Sequence, residues 1–95
     1  MKRGKQYSKA IHLNSELALA YDNRGVLKAK AGDIQGAITD INLAIELAPD
    51  NAGTYSNRGN IKVMQNDFQG SVNDFTKAIE LGHEAASRIL DLYCH

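Results

Sequence analysis

The chain is short of most of what disulfide scaffolds, membrane spans and nucleic-acid binders require. Of its 95 residues one is cysteine, Cys94, so no internal disulfide can form and a reducing compartment, the cytoplasm, is expected. No stretch approaches the roughly 18 apolar residues of a membrane span. The start, Met1 to Lys5, is basic, but polar residues enter every turn of Gln6 to Asn14, where a signal peptide would carry an unbroken apolar stretch. Neither sign of charge is in excess, with eleven Lys plus Arg against eleven Asp plus Glu. That balance leaves no field to gather nucleic acid or an anionic membrane, and neither is an expected partner.

Catalytic and metal-binding patterns are equally scarce. His12, His83 and His95 stand on separate segments, with no His or Cys three or four residues away to complete a metal pair on one helix face. Cys94 beside His95 is not a nucleophile and its base, because adjacent helical residues point about 100° apart and chain ends fray. Gly32-Asp33 and Gly36 read as turn and helix-start residues, and no glycine-rich phosphate loop ending in Lys-Ser or Lys-Thr is present. No catalytic residue, metal ligand or cofactor is expected, and the chain reads as a non-enzyme. At this length it is one small domain that buries about two-thirds of its unfolded surface, so its core is thin.

What the sequence does contain is a repeat. Tyr21-Asp22-Asn23-Arg24-Gly25 aligns with Tyr55-Ser56-Asn57-Arg58-Gly59, and the match continues without a gap at an offset of 34 residues, with 14 of 34 positions identical. A period of this size belongs to arrays of helix-turn-helix units. Each unit divides at a turn, Ala31-Gly32-Asp33 in the first and Gln65-Asn66-Asp67 in the second, and Asp33 and Asp67 are natural N-caps for the helices that follow. In those helices Ile34, Ala37, Ile38, Ile41, Ala44 and Ile45, and likewise Phe68, Val72, Phe75, Ala78 and Ile79, recur at helical spacing on an inward face. Pro49 stops the first unit, and Gly82 can close the second by taking a left-handed conformation.

These residues resemble two tetratricopeptide repeats. The likeness rests on Tyr21 and Tyr55 at the fourth place, Gly25 and Gly59 at the eighth, Ala37 and Ser71 at the twentieth, Ile41 and Phe75 at the twenty-fourth, Ala44 and Ala78 at the twenty-seventh, and Pro49 at the thirty-second. The small residues let paired helices approach, and the large ones fill the gap between turns. The chain departs from the pattern where Arg24 and Arg58 replace a usual Leu, and Lys28 and Lys62 a usual Tyr. Each Arg is followed sixteen residues later by an Asp, Asp40 or Asp74. An ion pair is expected, within a repeat or from Arg58 back to Asp40, with the lysine ammonium groups left in water.

Tyr7 to Leu13 overlays Phe75 to Leu81, so residues 1–17 read as the second helix of an earlier repeat, followed by repeats at 18–51 and 52–85. Residues 86–95 read as a terminal first-type helix. The expected fold is therefore all-α, an α-α superhelix of about six helices. Its ends are apolar, with Tyr7, Ala10 and Ile11 at one and Ile89, Leu90, Leu92 and Tyr93 at the other. Self-association through them, head-to-tail or as a twofold dimer, with the repeat serving assembly and no separate ligand, is one expectation; a capped monomer or a piece of a longer array is the other.

The resemblance implies a protein or peptide partner held in a concave groove of first helices. Carried over by position, the groove is lined by Asp22, Asn23, Val26, Ala29 and Lys30, then Ser56, Asn57, Asn60, Val63 and Met64, then Ser87, Leu90 and Asp91. Asn23 and Asn57 are the sharpest members, since an amide both donates to and accepts from a peptide backbone. Some family members hold the C-terminal carboxylate of heat-shock chaperones with cations. Here Asp22, Ser87 and Asp91 take the places of those cations, which points to a neutral or basic peptide instead.

Overall fold

The computed structural model describes residues 2–82, with side chains from Leu13 onward. All the regular structure there is helical: α1 (Lys2–Lys30), α2 (Ile34–Leu47), α3 (Ala52–Met64) and α4 (Phe68–Glu80). Helices α1 with α2, and α3 with α4, form the two expected helix pairs, and α2 bridges them by packing on α3.

The helix starts follow the sequence closely. Asp33 and Asp67 accept hydrogen bonds from the backbone N–H groups of Gly36 and Gly70, at 3.0 and 2.9 Å, satisfying donors that a helix N-terminus leaves orphaned. Asn51 caps α3 in the same way through Gly53 N–H, at 3.0 Å. The turn before α2 closes through Gly32 at φ +91°, and the equivalent turn before α4 uses Asn66 at φ 61°, a left-handed conformation that Asn tolerates better than most side chains. Gly82, at φ +97°, closes α4 as expected.

Two small cores result. Ala29, Ala37, Ile41 and Ile61 form the first, and Tyr55, Phe75 and Ala78 the second; Ile45 of α2 packs against both. The repeat glycines set the helix spacing. A Cβ on Gly25 would lie 2.7 Å from Cγ1 of Ile41, and one on Gly59 2.8 Å from Cε1 of Phe75. The inward face of α4 is narrower than its periodicity suggests, because Phe68 and Ile79 are exposed.

The six expected helices are four among the described residues. The terminal helix expected at 86–95 lies outside them, and the two helices expected at 1–17 and 18–30 are a single one. The cause is local. The junction after α2 contains Pro49 and the N-cap Asn51, and α4 closes at Gly82. The equivalent positions before Ala18 hold Asn14 in place of Gly82, Ser15 in place of Pro49 and Leu17 in place of Asn51. With no proline, glycine or cap there, helical hydrogen bonding continues through residues 14–17.

Candidate functional site

The first helices of the two pairs, α1 and α3, enclose a cleft of about 360 Å³ lined by Val26, Ala29, Lys30, Asn57, Asn60, Ile61, Val63 and Met64. Its base is apolar, and Lys30, Asn57 and Asn60 supply the polar groups. Seven residues expected to line a groove from the sequence meet here: Val26, Ala29, Lys30, Asn57, Asn60, Val63 and Met64. Ile61 joins them from the core and was not among the expected lining residues. Asn23 is exposed on α1 and is not part of the lining, while Asp91, Ser87 and Leu90 lie outside the described residues.

Asp22 and Ser56 are buried rather than presented to the groove. The carboxylate of Asp22 accepts hydrogen bonds from Thr54 Oγ1, at 3.3 Å, and from Asn57 Nδ2, at 3.0 Å. These bonds tie α1 to α3. They give the Asp22 oxygens partners inside the protein, so the residue does not serve as an acidic wall of the cleft, and the Asn57 amide N–H is engaged within the fold. A buried carboxylate without partners would be costly, which accounts for the polar Thr54 and Asn57 opposite it. The signal in the sequence was slight: Asp22 differs from Ser56 at its repeat position, and its partners are more than thirty residues away.

Behind the cleft, each helix pair is locked by charge. Arg24 Nε and Nη2 donate to Asp40 at 2.8 and 2.8 Å, and Arg58 Nε and Nη2 to Asp74 at 2.9 and 2.8 Å. Both pairs are bidentate and lie within a repeat, the stronger geometry for an arginine fork. The lysines do not leave their ammonium groups in water alone: Lys28 Nζ is 3.1 Å from Asp40 and Lys62 Nζ 3.0 Å from Asp74. Their spacing of four residues from each Arg puts both cations on one helix face. Each guanidinium also lies over a tyrosine ring, Arg24 5.3 Å from Tyr21 and Arg58 5.7 Å from Tyr55. The bonds from Arg24, with those from Lys28, hold the Asp40 carboxyl down at about 2 against the opposing effect of desolvation. Hydrogen bonding to Asp74 raises the pKa of Arg58.

The two locks differ in cover. Arg58 also donates to Asn42 of the preceding helix pair, at 3.0 Å, and its side chain is 22% exposed, whereas that of Arg24 is 57% exposed.

Among the described residues no group of three His, Cys, Asp or Glu is placed to hold a metal ion, and no helix is long and apolar enough to cross a membrane. Compared with known protein families, residues 18–51 match the tetratricopeptide repeat family. The match begins in the interior of α1 and ends at the cap of α3, and so spans the first repeat unit. No curated protein matches the chain.

Proposed function

We propose that the chain is a protein-interaction module that holds a segment of a partner in the cleft between α1 and α3. Tetratricopeptide repeats generally mediate protein–protein interaction, and the match over 18–51 supports that reading here. The observation that carries the reading is the cleft itself: an apolar floor of Val26, Ala29, Ile61, Val63 and Met64 edged by Asn57, Asn60 and Lys30. Its volume is near the lower end of the roughly 300–1,000 Å³ typical of ligand pockets, suited to apolar side chains of a peptide whose backbone meets the amides.

The expectation of a neutral or basic peptide rested on Asp22, Ser87 and Asp91, of which the last two lie outside the described residues. Asp22 is turned into the fold, and Lys30 is the one charged side chain among the lining residues. An extended segment with an apolar anchor and a neutral or acidic flank near Lys30 fits best.

Asn60 and Met64 are the residues to change, because both are exposed and neither is bound into the core. Asn57 is a poorer choice, since its loss also removes a partner of Asp22. Peptides selected from a display library on the wild-type chain should lose at least tenfold in affinity for Met64→Glu and severalfold for Asn60→Ala, with unchanged helix content. Full retention of binding by both variants would move the site elsewhere.

A further inference from the structure

The internal repeat allows the face of α1 that lacks cover to be recognised by comparison with α3. Ile61 is 2% exposed at the repeat position where Leu27 is 64% exposed. Thr54 is buried where Ala20 is exposed, and Tyr55 is buried where Tyr21 is partly exposed. In the second pair, cover on this side comes mainly from α2, through Ala37 and Ile41 in the core with Ile61, Ile45 beside the core of Tyr55 and the bond of Asn42 to Arg58, while α1 adds Ala29 beside Ile61 and the bond of Asp22 to Thr54. The segment of the chain equivalent to α2 is residues 1–13, in which Ile11 stands at the place of Ile45 and Ser8 at the place of Asn42. Because α1 runs unbroken through residues 14–17, that segment extends away from residues 18–30 of the same chain. The exposed Leu13, Leu17, Ala20 and Leu27 continue along one helical face, at spacings of four, three and seven residues.

We infer that this face is covered by a second copy of the chain, in a twofold dimer that exchanges the first half of α1. Two α1 helices lie antiparallel about an axis near Glu16, and residues 2–13 of each cover residues 18–30 of the other. The register comes from the contacts of α2 with α3 inside the chain. The bond between Asn42 and Arg58 transposes by 34 residues to Ser8 opposite Arg24, so paired positions add to 32 and the axis falls at position 16. Each α1 then supplies both the missing helix and the bare face, which makes the contact self-complementary and closed. It differs from a head-to-tail joining of the chain ends in needing nothing beyond Lys30. The cleft residues Val26, Ala29 and Lys30 lie on another face of α1, so exchange leaves the cleft open. One feature opposes the pairing: the basic start of α1, with Lys2, Arg3 and Lys5, meets the helix end that carries Lys28 and Lys30. Added salt should therefore tighten the dimer by screening like charges.

Light scattering on the full chain tests this. The expected result is twice the chain mass of 10.4 kDa, reached at lower concentration as salt is raised. The double substitution Ser15→Pro/Leu17→Asn restores the breaker and cap found at Pro49 and Asn51, and should give a monomer of unchanged helix content because residues 2–13 can then fold back. Leu27→Glu should weaken association at least tenfold. Independently of those variants' folding, Glu16→Cys with Cys94→Ser should be joined into a covalent dimer by a short bis-maleimide, whereas Glu46→Cys in the same background should not. A chain that stays monomeric at every concentration would overturn the inference. So would a dimer that survives both Ser15→Pro/Leu17→Asn and Leu27→Glu, or one that gives no Glu16→Cys crosslink.

Discussion

The two helix pairs carry nearly the same side chains and live in different surroundings. In both, an arginine fork and a lysine converge on a buried aspartate, and a tyrosine lies under the guanidinium. Helix α3 of the second pair has α2 packed over it, while among the described residues no helix takes that place over α1, so Leu27 and Arg24 are exposed where Ile61 and Arg58 are sheltered. In a repeat array the worth of a residue is set by its neighbour as much as by its own unit. Equivalent substitutions in the two pairs therefore measure the cover directly.

The largest contrast is expected at the apolar position. Ile61→Ala should cost about 3 kcal/mol, the range for emptying a buried site, whereas Leu27→Ala should cost less than about 0.5 kcal/mol under dilute conditions. Urea unfolding of both variants checks this, and equal losses would mean that α1 is covered within its own chain. Arg58→Met should follow at about 2–3 kcal/mol, because it leaves Asp74 buried with one fewer partner and also breaks the Asn42 bond. Arg24→Met should cost less, for its guanidinium is largely in solvent.

Acid should weaken the first lock. The folded-state pKa of Asp40 is lowered from 3.8 to about 2, so its contribution is present above the unfolded value and disappears as pH falls from about 4 through 2. Thermal melts over that window should lose stability in the wild type and change less in Asp40→Asn, which is destabilised from the outset. The smallest effect is expected at the turn, where Asn66→Gly should add up to about 1 kcal/mol by matching the second turn to Gly32.

The helix pairs were legible because their determinants are local or repeat at a fixed offset. Asp33, Asp67, Pro49 and Gly82 act within a few residues, and the 34-residue offset shows which small residue faces which large one, as with Gly59 and Phe75. The ion pairs were readable to the level of Arg and Asp, while the lysines were missed although their four-residue spacing marked the same face. The straight α1 was hidden by the repeat itself. Matching Tyr7 to Leu13 with a second helix implied a turn after it, and only the residues at 14–17 show that nothing there makes one. Position alone put Val26, Ala29, Lys30, Asn57, Asn60, Val63 and Met64 on the one surface that lines the cleft, but it could not reveal that Asp22 turns inward, because Thr54 and Asn57 come from the next repeat.

On the proposed function, a peptide partner is expected on the cleft face of α1 and not on its bare face. Backbone amide shifts in the labelled chain, titrated with a peptide selected on the wild type, separate the two most directly. Changes are expected at Val26, Ala29, Asn60 and Met64, with Leu17, Ala20 and Leu27 unmoved; changes confined to Leu17, Ala20 and Leu27 would place the partner on the bare face instead.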